Sequence, residues 1–273
     1  MAGEGHDARV SALELLRAPA RQSSALTETA HRSWPLPSGS WLMGQTWDSL
    51  LFAHWRVEAE AVRALVPPEL SVDEHDGSAW LGITPFDLTG FRLRGTLPLP
   101  VVSCFPEINV RTYVTAEGKP GIWFFSLDTS SLIAVEAARR AYKLPYFHAR
   151  IARDRDEDRI HYSSARRDAI RPFVFGATYE PAGMAFEPES GTLEHFLTER
   201  YCLYAADESG LYRAEIHHTP WRILPAEVSI DLNTMPPDGL ELDGEPLCHV
   251  AERQDVVIWP PANVRTPSGV KPA

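Results

Sequence analysis

The run "PEINVRTYV", residues 106–114, alternates strictly: Glu107, Asn109, Arg111 and Tyr113 fall on one side, Ile108, Val110, Thr112 and Val114 on the other. Successive side chains of an extended chain point to opposite faces, so this period of two predicts a strand with one polar and one apolar face. Glu107 and Arg111 stand roughly 13 Å apart along the polar row, too far for a direct ion pair, so each needs another partner. Shorter rows recur elsewhere. "LFAHWRV" (51–57) aligns Phe52, His54 and Arg56, and "YRAEIH" (212–217) aligns Arg213, Glu215 and His217. In an open sheet such rows face water; in a sheet closed on itself they line a polar interior. Alternation alone does not choose between the two.

Working outward, "TAEGKPG" (115–121) turns the chain into the apolar run "IWFFSL" (122–127). A helix is predicted over about 131–142, capped by Ser130 or Ser131, with Glu136 and Arg140 paired at i,i+4 and Pro145 ending it. "PYFHARIARDRDEDRIHYSSARR" (145–167) reads as a hairpin about an acidic turn at Asp154–Asp158, and "YCLYAADESGLYRAEIHH" (201–218) as a second one. "PFVFGATYE", "AEVSIDL" and "CHVAERQDVVIW" supply further strands, and "GTLEHFLTERYC" a short helix. Upstream, "EAEAVRALVPP" is a short helix stopped by Pro67-Pro68, Asp76-Gly77 signals a hairpin, and "SALELLRA" is a helix ending before Pro19. The expected class is α+β and mainly antiparallel β, with a few peripheral helices. Residues 1–40 read as an N-terminal extension, 41–262 as one domain and 263–273 as a tail.

The 273-residue chain carries a net charge of −11, which argues against nucleic acid or an anionic membrane surface as partner, because both require a positive field. No window approaches the roughly 20 apolar residues of a membrane span, "MAGEGHDARV" lacks the apolar core of a secretory signal, and three cysteines without CxxC spacing suit a reducing compartment. A cytoplasmic protein is expected, with a small-molecule ligand or substrate; a homo-oligomer is compatible with the sequence. There is no GxSxG elbow, phosphate-binding loop, dinucleotide fingerprint or HExxH. His217-His218 lie on a strand, where neighbours diverge, so no metal and no cofactor is expected; one histidine should pack inside and the other face water.

The ordered blocks "FAHWRVEAEAVRALVPPEL", "FPEINVRTYV", "GIWFFSLD", "ARRAYKLPYFHARI" and "YRAEIHHTPW" resemble the YqjF-like family of uncharacterised bacterial proteins, over roughly residues 45–260. That family is in turn distantly similar to the acetoacetate decarboxylase-like superfamily. The resemblance implies a cone-shaped β-barrel with a buried central cavity. It also places Arg56 where the superfamily's first strand carries an arginine, and Glu107 where it carries a cavity glutamate. The decarboxylases set their Schiff-base lysine directly after a proline; here "LPYF" puts Tyr146 after Pro145.

Only three lysines exist, Lys119, Lys143 and Lys271, and Lys143 lies on the other side of Pro145, following Arg139 and Arg140. A Schiff base requires a primary amine held unprotonated, as in acetoacetate decarboxylase. Lys143 is read instead as a charge at a helix C-terminus, favoured by the dipole. Three functions follow. The first is a lyase, hydratase or decarboxylase without a Schiff base, acting on a small oxo acid or enolisable carbonyl compound. Glu107, Tyr146 and His148 would be its catalytic residues, with Arg56, Arg111, His54 and His217 binding substrate. The second is a non-catalytic small-molecule-binding barrel; the third, a Schiff-base decarboxylase using Lys143.

Overall fold

Long alternating strands joined by tight turns build one sheet, and its edges find each other. The computed structural model describes residues 11–99, 102–167, 169–242 and 244–264; "MAGEGHDARV", Lys271 and nearly all of the 263–273 tail lie outside the described residues. In chain order the elements are α1 (Ala12–Ser24), β1 (Met43–Val57), α2 (Ala59–Arg63), β2 (Ser71–Val72), β3 (Ala79–Leu93), β4 (Phe105–Ala116), β5 (Lys119–Thr129), α3 (Leu132–Tyr142) and β6 (Tyr146–Asp156). They continue through β7 (Arg159–Arg166), β8 (Val174–Pro181), α4 (Leu193–Thr198), β9 (Cys202–Asp207), β10 (Gly210–His217), β11 (Leu224–Asn233), β12 (Leu247–Ile258) and β13 (Ala262–Asn263).

The sheet is mostly antiparallel, β5 pairing in parallel with both β6 and β9. Pairings β4–β5 and β10–β12 close it into two rings. One runs β1-β3-β4-β5-β9-β10-β12; the other uses the same β12, β1, β3, β4 and β5 but returns through β6, β7, β8 and β11. A strand in the shared wall is covered on both sides. The apolar face of β4, Ile108, Val110 and Val114, joins Leu51, Ile83, Tyr162, Phe175 and Tyr179 in the core of the larger ring. The polar face, Glu107, Asn109, Arg111 and Tyr113, turns into the smaller ring and is also buried. Strand alternation is therefore as expected, but the polar row of β4 does not meet water.

The two predicted hairpins form as β6–β7 and β9–β10. Asp76-Gly77 adopts positive φ at both residues, the turn its sequence signals, yet its arms make a single bridge, His75 to Ser78, because β2 pairs with β4 instead. Helix α1 runs through Pro19 rather than stopping before it. Its inner stripe of Leu15, Ala18 and Gln22 is buried against the sheet, where Gln22 donates to the Gly90 carbonyl and accepts from Arg92 Nε at 2.8 Å. Packing and this buried network outweigh the hydrogen bond that proline removes. The shared wall is also tied outward: Arg166 on β7 grips Asp128 on β5 with two bonds of 2.8 Å, its guanidinium stacked between Phe147 and Phe173. No helix among the described residues is long and apolar enough to cross a membrane.

At the β5–β9 contact a Cβ on Gly121 would lie 2.6 Å from Cys202 Sγ and 2.8 Å from the Cys202 carbonyl oxygen. Backbone cannot yield as a side chain can, so Gly121→Ala should lower unfolding free energy by about 1–3 kcal/mol. Gly176→Ala, where the nearest atom is 4.0 Å away, is the matched control and should be neutral or slightly stabilising. Urea denaturation compares them; equal midpoints would show that β5 and β9 do not approach this closely.

Candidate functional site

Register sets the geometry of the smaller ring's interior. Across β3 and β4, Leu88 faces Phe105, Phe86 faces Glu107, Thr84 faces Asn109 and Gly82 faces Arg111. On β1, Met43 lies opposite Leu93, Trp47 opposite Leu88 and His54 opposite Gly82. The interior is thus layered, running from an apolar rim at Met43 and Leu93, through Trp47, Leu88 and Phe105, to the polar row. These layers enclose a cavity of about 270 Å³, roofed by α3. Its polar lining residues are Gln45, Glu107, Asn109, Arg111, Tyr142 and Tyr146; the rest are apolar.

Glu107 is 2% exposed and accepts one hydrogen bond, from the Tyr146 phenol to Oε2 at 3.0 Å. Burial dominates that bond and lifts its pKa to about 8, helped by the nearby negative charge of Asp128. At neutral pH Glu107 is chiefly a neutral acid. The Tyr146 phenol is held well above its ordinary value by burial and by Glu107, so it stays a donor. Thr84 Oγ1 donates to Asn109 Oδ1.

Arg111 is 5% exposed, and no carboxylate pairs with it among the described residues. Its Nη2 reaches the Leu197 carbonyl at 3.5 Å, its guanidinium packs on the rings of Phe52 and Tyr113, and Nε has no hydrogen-bond partner. A buried guanidinium without a counter-ion costs several kcal/mol. That makes Arg111 the strongest anion-seeking group in the cavity. Gly82 makes room for it: a Cβ there would stand 3.3 Å from Arg111 Cγ and 3.0 Å from His54 Cδ2.

Of the seven candidates, Glu107, Arg111 and Tyr146 line this cavity and the other four do not. His54 lies just behind the cavity wall, fully buried, with Nε2 2.5 Å from the Tyr113 hydroxyl. Burial first, then the charge of Arg111 and His249, pushes its pKa well down, so it is a neutral support for Tyr113 and not a ligand contact. Arg56 shares the parity of His54 but sits where β1 leaves the ring. It is exposed, donates to Ser78 Oγ at 3.2 Å and stacks on Trp80. His148, half-buried on β6, is not among the cavity-lining residues, because β6 departs into the larger ring after Tyr146.

His217 faces outward from the ring and fastens the N-terminal segment. Its Nε2–H donates to the Ala25 carbonyl at 2.8 Å, Nδ1 faces Arg32 at 3.4 Å, and its ring stacks on His31. Burial lowers its pKa to about 4. One of the pair was expected in water, yet His218 is buried as well, its ring stacked on Tyr201 and its Nε2 3.4 Å from the Arg200 carbonyl. Lys143 caps α3 in the left-handed conformation and pairs with Asp207 at 3.1 Å, outside the cavity, as a helix-end charge should. What the sequence reading missed is the alanine face of α3: Ala134, Ala137, Ala138 and Ala141 line the cavity at i,i+3,i+4,i+7 spacing, a signal present in the sequence. Asn109, in the same polar row, also lines the cavity.

Comparisons agree with this architecture. Among solved structures, the ring of strands is similar to the enduracididine biosynthesis enzyme MppR in complex with pyruvate (TM-score 0.57, 12% identity, 85% of this chain and 92% of that one). It is similar also to acetoacetate decarboxylase from Legionella pneumophila (TM-score 0.55, 12% identity, covering 85% and 93%). A third likeness is to an acetoacetate decarboxylase-like enzyme from Sphingomonas wittichii RW1 (TM-score 0.56, 15% identity, covering 87% and 99%). At such identities the likeness is one of fold. Residues 44–255 match the family DUF2071, "Uncharacterized conserved protein", and the chain belongs to that family. The uncharacterized protein YqjF of Bacillus subtilis (strain 168) is 44% identical over 227 residues, covering 82% of this chain and 93% of that protein.

The raised pKa of Glu107 makes a pH prediction. The folded state retains a proton that the unfolded chain releases above about pH 4.5, so Glu107 favours folding most at acid pH. Its contribution should fall as pH rises from about 4.5 to about 8, by at most about 1.4 kcal/mol per pH unit, and then level off. Thermal unfolding of Glu107→Gln should lack this component, so the variant gains on the wild type as pH rises. Parallel pH profiles would show that Glu107 titrates normally.

Proposed function

We propose that the cavity binds a small oxo acid or enolisable carbonyl compound and acts on it as an acid–base enzyme, without a Schiff base. The observation that carries this reading is a buried carboxyl, Glu107, whose pKa burial raises to about 8, in the same cavity as Arg111, a guanidinium with no counter-ion among the described residues. We read the ring of strands as the cone-shaped barrel of the decarboxylase-like superfamily. Pyruvate and acetoacetate, named for the structural neighbours, are both oxo acids, which supports the substrate class.

In the proposed complex Arg111 takes the substrate carboxylate, which supplies the missing counter-ion. The substrate carbonyl displaces the Glu107–Tyr146 hydrogen bond and accepts from both groups. When the C–H bond at the neighbouring carbon breaks, its proton passes to solvent at the exposed cavity mouth, its electron pair forms the carbon–carbon double bond, and the carbonyl π pair moves onto oxygen. The Glu107 proton completes the enol, and the Tyr146 hydroxyl stabilises the charge as it develops. The resulting carboxylate is then the base for the reverse transfer. A guanidinium on the carboxylate opposes loss of CO₂, because it stabilises the anion that decarboxylation must neutralise. Hydration, dehydration or enolisation therefore fits better than decarboxylation.

A non-catalytic binding role is the second reading. It is favoured by the absence of Lys, Ser, Cys and His from the cavity lining among the described residues, and by the way Glu107 and Tyr146 already satisfy each other. Affinity capture of metabolites with mass spectrometry should return a carboxylic acid with wild-type protein and lose it with Arg111→Met. Product formation that disappears in Glu107→Gln while capture persists marks an enzyme; capture unaffected by Arg111→Met contradicts both readings.

Amine chemistry is tested separately. Borohydride added with acetoacetate should leave the intact mass unchanged, since Lys143 points to Asp207 and Tyr146 cannot form an imine. A substrate-dependent adduct on Lys143 would restore the Schiff-base mechanism.

A further inference from the structure

Resting on the oxo-acid reading above, we infer that the preferred ligand is amphipathic: an oxo-acid head on the polar row, carrying an apolar arm that runs outward along the alanine face of α3. The layering gives the direction. From Glu107 and Arg111 the cavity passes Leu88 and Phe105 and reaches a rim that stays apolar although it meets water. Ile133 is 66% exposed, Leu93 50% and Leu42 37%, and all three line the cavity. A site built for a wholly polar molecule the size of pyruvate has no use for such a passage, and large exposed side chains clustered at one mouth point to an apolar visitor.

Size gives the length. A volume of about 270 Å³ holds about nine groups the size of a water, at roughly 30 Å³ each. A 2-oxo acid head uses about five of these, which leaves space for about four carbons inside before an arm emerges between Ile133 and Leu93. Helix α3 suits a sliding wall for such an arm. Between Ile133 and Tyr142 its cavity face is alanine at four positions, and Lys143 and Ser131 fix its two ends.

The test is calorimetric titration of the full chain with straight-chain 2-oxo acids of four to ten carbons. Affinity should rise roughly fourfold for each added methylene until about four arm carbons are enclosed, and only slightly beyond. Ala138→Phe, which fills the passage, should abolish the gain with length, so that the ten-carbon acid binds no better than the four-carbon acid. Ile133→Gln, at an exposed position, should weaken only the longest acids, and so checks the inference even if Ala138→Phe fails to fold. A flat series, with short and long acids bound equally, overturns the apolar arm and leaves the oxo-acid reading standing. Failure of every length to bind wild-type protein overturns both.

Discussion

The structure depends on a shared wall. Strands β12, β1, β3, β4 and β5 belong to two rings at once, so a residue on either face of β4 is buried. One face can serve stability and the other chemistry. Ile108, Val110 and Val114 anchor the larger ring's core, and the alternate residues are then fixed, without slack, as the floor of the cavity. A slip of one residue would exchange the two sets and put Glu107 and Arg111 into an apolar core. The apolar half of the strand therefore holds the polar half in place.

The same constraint governs the electrostatics. Because the wall is covered, Glu107 is desolvated and keeps its proton near neutrality, while Arg111, one layer beyond Asn109, has no carboxylate partner among the described residues. Asp128, on the other face of the wall, is by contrast fully satisfied by Arg166 between two aromatic rings. Its pKa is nonetheless raised, by burial ahead of the Arg166 contacts. One buried carboxyl is paired and structural; the other touches only a phenol. That contrast, more than burial as such, separates a scaffold residue from a reactive one.

Much of this was legible in the sequence. Strict alternation in "PEINVRTYV" gave the strand and grouped Glu107 with Arg111; the proline and the two arginines around Lys143 marked a helix end and not a reactive amine. What alternation cannot tell is which cover lies over each face, or where a strand leaves the ring. Arg56 has the parity of His54, but the strand leaves the ring before reaching it. His217 has the parity of Glu215, yet residues 25–34, whose apolar content is too sparse to advertise a packed segment, cover them both. His148 follows Tyr146 by one alternation, but β6 passes into the other ring between them.

Glu107 holds its proton near neutrality in a cavity that Arg111, without a carboxylate partner among the described residues, also lines. Infrared difference spectroscopy between wild type and Glu107→Gln, followed through pH, reads that proton directly. A protonated carboxyl band is expected at pH 6, giving way to carboxylate as pH passes about 8. A carboxylate already formed at pH 6 would contradict it.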